Sequence, residues 1–314
     1  MKIEKIAVLG SGVMGSGIAA LCANAGLDVM LLDIVPEDAT DRNALAKGAI
    51  EKQSKGKMPG FTHPRNAKNV TPGNLEDDLE KLAECDWIIE VVLEKLEVKH
   101  DVYQKIDQHR KPGCIVSSNT STLPLAELVE PMPESFRKDF MITHFFNPPR
   151  FMPLLEVVKS PEMSGDVYAA MQQFADMRLG KTCVEAKDTP GFLANRIGVY
   201  WLMVALYEAI DMGITVEDAD AVMGKPMGIP KTAVFGLFDL IGIDLMPHIA
   251  KAMLDTLPED DVFRKIYHEP ERIKTMIAEG YTGRKGKGGF YTLDEKRNKL
   301  AIDLKTGEYH PAKD

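Results

Sequence analysis

Short apolar runs alternate with stretches of helical spacing through the first part of the chain. The runs at 5–9, 29–32, 87–92, 114–118, 140–146, 154–158 and 182–186 are rich in valine, isoleucine and leucine, as strands buried on both faces are. Residues 69–74 hold a short strand and turn, with Asn74 placed to cap 75–84. Between the runs, 16–25, the charged stretch up to 57, 94–106 and 164–179 have helical spacing. Strands alternating with helices predict an α/β fold with a doubly wound, mostly parallel sheet. The turn residues Asp188, Thr189, Pro190 and Gly191 end this pattern. Beyond them lie a long apolar helix at 195–212, stopped by Gly213, and shorter helices at 216–223, 233–241, 244–257, 261–267 and 273–279. The chain therefore reads as a sheet domain over 1–187, a smaller all-helical domain over 188–291, and a polar extension or linker over 292–314, with a small hairpin near 300–309.

The first run breaks into Gly10, Gly12 and Gly15, spaced G-x-G-x-x-G, and continues as a helix of small residues stopped by Gly26. In this strand–turn–helix context the first glycine permits the turn, the second lets backbone approach a pyrophosphate, and the third lets the helix lie close to the sheet. The helix N-terminus then faces the phosphates. The next run ends in Asp33, about 20 residues on, where an acid holds ribose hydroxyls. A carboxylate there repels a 2′-phosphate and no arginine adjoins it, Arg42 standing further along, so the pattern favours NAD over NADP.

A length of 314 residues fits two domains, and the net charge of −9 argues against nucleic acid as a partner. Cys22, Cys85, Cys114 and Cys183 are far apart and form no C-x-x-C pair, which suits buried free thiols in a reducing compartment. The first strand begins almost at Met1 and no run reaches the length of a membrane span, so the expected location is cytoplasmic. No metal site is expected.

Candidate chemistry gathers at strand ends. Glu156 stands within an apolar strand, where an acid is costly unless paired, and the preceding strand offers His144 near its C-terminal end. A carboxylate bonded to one imidazole nitrogen fixes the tautomer and stabilises the imidazolium formed when the other nitrogen takes a proton. Structural pairing is the alternative for such a pair; the dinucleotide turn, whose crevice lies at these strand ends, shifts the balance to catalysis. Glu90 interrupts another apolar run, and Glu94 and Lys99 follow it as either ligand contacts or charge pairs at an exposed helix start. The polar run 119–122 is a helix cap or a ligand cradle. Arg42, Lys47, Lys52, Lys55 and Lys57 read as a solvated helix face or as contacts to an anion. The basic, glycine-rich loop 283–291 reads as a phosphate or nicotinamide-side contact or as a surface turn.

The chain resembles the 3-hydroxyacyl-CoA dehydrogenase family. The resemblance rests on the glycine motif, on Glu94-Lys-Leu-Glu-Val-Lys99, Ser118-Asn-Thr-Ser121 and His144-Phe-Phe-Asn-Pro148, and on Leu155-Glu-Val-Val. Lys187-Asp-Thr-Pro-Gly-Phe-Leu-Ala-Asn-Arg196, Lys225-Pro-Met-Gly and Lys285-Gly-Lys-Gly-Gly-Phe-Tyr extend it to about residue 291. It implies a Rossmann domain followed by a helical domain that closes over an acyl-CoA thioester and often dimerises. It implies His144 as general base with Glu156 as partner, and Ser121 and Asn195 on the substrate's 3-oxygen. NAD would be lined by Gly10, Gly12, Val13, Met14, Gly15, Asp33, Glu94, Lys99, Ser121, Asn147 and Lys285, with coenzyme A near Lys52 and Lys55. The implied reaction is NAD-dependent oxidation of an L-3-hydroxyacyl-CoA to the 3-ketoacyl-CoA in β-oxidation.

The segment near 47–65 carries an extra loop relative to compact members, and the tail past Tyr291 resembles the joint to further modules, such as a fused or associated enoyl-CoA hydratase, in multifunctional fatty-acid oxidation proteins. Two other readings stand. One is a dehydrogenase of a free hydroxy acid of gulonate type. The other is a crystallin-like NAD-binding protein without turnover, against which the intact set of Ser121, His144, Glu156 and Asn195 speaks.

Overall fold

The computed structural model describes residues 2–37, 40–55 and 58–313. The chain divides into two units, Met1–Phe192 and Leu193–Asp314, a few residues beyond the break expected at 187.

In the first unit the apolar runs become β1 (Lys5–Leu9), β2 (Asp28–Asp33), β3 (Val70–Asn74), β4 (Trp87–Glu90), β5 (Ile115–Ser118), β6 (Phe140–Phe145), β7 (Leu154–Lys159) and β8 (Thr182–Glu185). They form one sheet in the order β3-β2-β1-β4-β5-β6-β7-β8, parallel throughout except for the antiparallel pair β6/β7. Helices α1 (Val13–Asn24), α2 (Ala44–Gln53), α3 (Leu96–His109), α4 (Leu125–Val129), α5 (Glu134–Arg137) and α6 (Gly165–Leu179) belong to this unit. Successive residues of β1 serve opposite faces. Ile6 and Val8 join the core that includes Ile18 and Cys22 of α1, while Ala7 and Leu9 join the core that includes Val102, Tyr103 and Ile106 of α3.

The strand order reverses between β1 and β4, which places the ligand crevice of such a sheet at their C-terminal ends. The long helix α1 can lie close there because its sequence is small. A Cβ on Gly15 would stand 1.9 Å from the Gly10 carbonyl oxygen, and one on Gly10 (φ +104°) would stand 2.4 Å from that of Val91.

The second unit holds α7 (Ala194–Met212), α8 (Val216–Val222), α9 (Phe235–Ile241), α10 (Leu245–Thr256), α11 (Val262–Ile266) and α12 (Glu271–Glu279) around a core that includes Leu202, Phe235, Phe238 and Phe263. It is not wholly helical. The polar stretch expected to be an extension or linker forms β9 (Tyr291–Leu293), β10 (Lys299–Ile302) and β11 (Tyr309–Pro311), an antiparallel sheet. Ala301 and Ile302 are buried in the same core. β10 and β11 are the small hairpin expected near 300–309; what the polar composition around them does not show is that β10 packs into the core of the unit.

Among the described residues no helix is long and apolar enough to cross a membrane. The four cysteines are unpaired, and burial pushes the thiols of Cys22, Cys85 and Cys114 up to about 12.

Candidate active site

Two clusters occupy the C-terminal edge of the parallel strands. The first surrounds the glycine turn. No side chain caps α1, so its first-turn N–H groups are presented without a protein acceptor from a cap, and a Cβ on Gly12 would meet nothing within 4 Å. Val13 and Met14 form the first turn behind it. Asp33 ends β2, its Oδ2 accepting from the Ser11 N–H (2.6 Å) and Ser11 Oγ–H (2.5 Å) and its Oδ1 from the Ile34 N–H (2.7 Å). The acid is thereby fixed to the turn that the phosphates would occupy. Arg42 is committed elsewhere, to Glu76 at 2.6 Å and Asp77 at 2.7 Å, and is not a partner for a 2′-phosphate at Asp33. An open amide-lined turn and a neighbouring carboxylate suit a pyrophosphate and a ribose diol, which is the donor and acceptor set of NAD.

Beside the turn lies a buried ionic network that sequence reasoning missed as a unit. Glu90, fully buried at the end of β4, accepts from Lys99 Nζ (2.7 Å), the Tyr103 hydroxyl (2.8 Å), Ser118 Oγ (2.6 Å) and the Val92 N–H (2.7 Å). Lys99 is 1% exposed and also lies 3.1 Å from Glu94. Glu94 in turn accepts from the hydroxyls of Thr120 and Thr122 and from the Ser121 N–H. Burial pushes the Glu94 carboxyl up, but the Lys99 charge and these bonds outweigh it and hold it below the usual range. Of the pair expected to line the cofactor, Glu94 therefore keeps solvent contact, whereas Lys99 is held inside between two carboxylates. The signal for Glu90 was present: one acid inside an apolar run at a strand end.

The second cluster joins β6 and β7. His144 and Glu156 are register partners across the antiparallel pair, so their side chains share one face. His144 Nδ1 and Glu156 Oε2 are 2.7 Å apart, with both side chains buried. The rings of Phe146 and Phe192 lie 4.5 and 5.7 Å from the imidazole ring. With Nδ1 engaged by the carboxylate, Nε2 is the ring nitrogen left to exchange a proton with a ligand. Asn119, after β5, ties the strands together by accepting from the Phe145 N–H at 2.9 Å.

Asn147 is exposed directly beyond this strand, next to a cleft of about 510 Å³ that it lines together with Val13, Lys52, Lys55 and Arg150. Lys52 and Lys55 are thus brought to a common wall, although Lys55 is also paired with Glu51. Lys57 lies outside the described residues.

In the second unit, Asn195 occupies the first turn of α7 and Lys285 pairs with Asp244 at 3.2 Å. The glycines around Lys285 have a local cause. Asp239 of α9 accepts from the Phe290 N–H (2.8 Å) and Tyr291 N–H (2.9 Å), and a Cβ on Gly283 or Gly289 would strike its backbone or carboxylate at 2.5 or 1.9 Å. Burial raises the Asp239 carboxyl to about 6 despite those bonds. A folded-state value above the unfolded one means that its contribution favours folding most below about pH 4 and is lost as pH rises through about 6, a change of about 3 kcal/mol. The thermal midpoint of the wild type minus that of Asp239→Asn should therefore fall between pH 4 and pH 6.5; a difference that stays flat would show that Asp239 does not titrate in this window.

Comparisons with known proteins bear on both units. Residues 5–189 match the model of the 3-hydroxyacyl-CoA dehydrogenase NAD binding domain, and residues 191–293 match that of the 3-hydroxyacyl-CoA dehydrogenase C-terminal domain. The chain is 41% identical to a putative fatty acid oxidation complex trifunctional enzyme of Rickettsia prowazekii (strain Madrid E), over 99% of this chain and 44% of that protein. It is 42% identical to a probable 3-hydroxyacyl-CoA dehydrogenase of Deinococcus radiodurans, over 94% of this chain and 85% of that one. The crystal structure of FadB2 of M. tuberculosis is similar with a TM-score of 0.75 at 28% identity, covering 93% of this chain and 99% of that chain. The chain thus spans under half the length of the Rickettsia relative.

Proposed function

The chain belongs to the 3-hydroxyacyl-CoA dehydrogenase family, and on that premise we propose that it oxidises an L-3-hydroxyacyl-CoA to the 3-ketoacyl-CoA with NAD as hydride acceptor. The observation that carries the reading is the buried 2.7 Å contact between His144 and Glu156 at the strand edge that also bears the glycine turn. His144 takes the proton of the 3-hydroxyl at Nε2. Glu156 holds the imidazole in the tautomer that leaves Nε2 free to accept and stabilises the imidazolium that results. Phe146 and Phe192 keep water from the ring, which strengthens that electrostatic support. Ser121 and Asn195 hydrogen-bond the substrate's 3-oxygen. The turn amides at Gly10, Gly12, Val13, Met14 and Gly15 take the pyrophosphate and Asp33 the adenosine ribose, while Glu94, Ser121, Asn147 and Lys285 line the remainder. Lys99 acts through Glu94, and the wall bearing Lys52 and Lys55 meets the phosphates of coenzyme A. The protein works as a homodimer in the cytoplasm, with a fused or associated enoyl-CoA hydratase module; the likeness to a protein named as a fatty acid oxidation complex trifunctional enzyme supports a multifunctional setting.

NADH-dependent reduction of acetoacetyl-CoA tests the reading, with the free acid in parallel. Turnover of the thioester alone is expected. Turnover of the free keto acid alone would place the chain with dehydrogenases of free hydroxy acids of the gulonate kind, and NADH binding without either would make it a binding protein.

A further inference from the structure

We propose that Lys181 is a positioning residue for this site: buried without a carboxylate partner, its ammonium clamps the proline-rich loop 147–153 that follows the His144 strand. The proposal rests on the dehydrogenase reading above. Lys181 is 2% exposed, and among the described residues no acid pairs with it. Its Nζ donates to the carbonyls of Pro149 and, at 2.6 Å, Met152, and lies 5.9 Å from the ring of Phe145. An isolated buried cation is expensive, and among the described residues this one is met by main-chain dipoles, a ring face and the nearby Cys22 thiol, none of them a carboxylate. Burial correspondingly lowers its pKa.

The loop explains why a cation is kept there. Pro148, Pro149 and Pro153 have no N–H to offer, and the N–H groups of Phe151 and Met152 both turn back onto the Pro148 carbonyl. Among the described residues, no backbone N–H donates to the two carbonyls that Lys181 holds. A long side chain with several donors reaches both at once, and an apolar residue would leave them unmet.

What the clamp fixes is functional. Asn147 stands at the upstream end of the loop. Pro149 lies directly on α1, since a Cβ on Gly17 would come within 2.9 Å of its ring. Arg150 donates to the Pro59 carbonyl at 2.7 Å, tying the loop to the segment beyond α2. Lys181 itself precedes β8, which pairs with the strand of Glu156. One buried ammonium therefore sets the spacing between the His144–Glu156 pair, the dinucleotide helix and the cleft wall.

The test uses the full chain with Lys181→Met and Lys181→Arg. Lys181→Met should speed hydrogen exchange of the 145–153 amides selectively. It should also raise the NADH dissociation constant and the thioester KM by about tenfold or more, the loss of at least one charge-assisted hydrogen bond, with kcat at saturation little changed. Lys181→Arg, which keeps charge and donors, should recover most of each effect. A folded Lys181→Met protein with unchanged exchange, NADH affinity and KM would overturn the proposal, as would faster exchange spread evenly over the first unit or a fall in kcat alone. Should Lys181→Met not fold, Lys181→Gln, a shorter neutral donor, carries the same comparison. Failure of the wild type to reduce any thioester would count against the dehydrogenase reading, while exchange and NADH affinity would still judge the clamp.

Discussion

Replacing His144 with alanine should lower turnover of acetoacetyl-CoA by about 10²–10⁴-fold, the range set by loss of a positioned general base, and leave NADH binding close to that of the wild type. The separation follows from the topology. The imidazole stands on β6, opposite Glu156 of β7, whereas the amides that would hold the dinucleotide belong to the turn after β1. Alanine also removes a ring packed against Phe146 and Phe192, so a cavity could mimic a chemical defect. His144→Gln, which fills more of that space but cannot take the proton, separates the two. An equal loss in both variants assigns the effect to proton transfer. Turnover retained in either variant, or loss of NADH affinity in both, would remove His144 from the role of base.

Several parts of this site are legible in the sequence because they violate a local rule. Glu156 and Glu90 are acids inside apolar runs, and Gly10, Gly12 and Gly15 interrupt a strand-to-helix passage at positions where a side chain would collide or intrude. Each violation implies a partner or a ligand. The pairing of His144 with Glu156 follows once adjacent strands are assumed, although the antiparallel direction that puts them in register does not.

What escapes the sequence is burial decided by tertiary packing. Lys99 sits in a run of alternating charge at the start of α3, where period and composition describe a solvated face. It goes under because Glu90, nine residues earlier, waits beneath the helix. Lys181 is likewise an ordinary cation between Gly180 and a strand until the loop it anchors is known. The glycine-rich loop 283–291 carries a second reason for its composition. Alongside the anion contact its basic residues suggest, Gly283 and Gly289 answer the shape of Asp239, a residue far away in sequence. Local composition signals that a backbone must come close to something; only packing says to what.

The buried pair supplies the other large effect. Lys99→Met should destabilise the first unit by about 3–5 kcal/mol, the usual consequence of removing one member of a buried ion pair. The lower end is expected, because Glu90 would still accept from Tyr103, Ser118 and the Val92 N–H. The cause is the uncompensated carboxylate that remains buried, more than the attraction that lysine supplied. Lys99→Met combined with Glu90→Gln removes both charges of the buried pair and should therefore be more stable than Lys99→Met alone, giving a coupling energy well beyond the additivity of distant sites. Denaturant midpoints of the four proteins measure it. Glu94 provides an independent reading, since Lys99 is the charge that opposes its burial. Once that charge is gone its carboxyl rises toward or above the ordinary range, and NADH affinity should weaken in the single mutant and remain weak in the double one. Simple addition of the two stability losses would show that Glu90 and Lys99 act separately, each through its own packing, and that the network below the crevice is no unit at all.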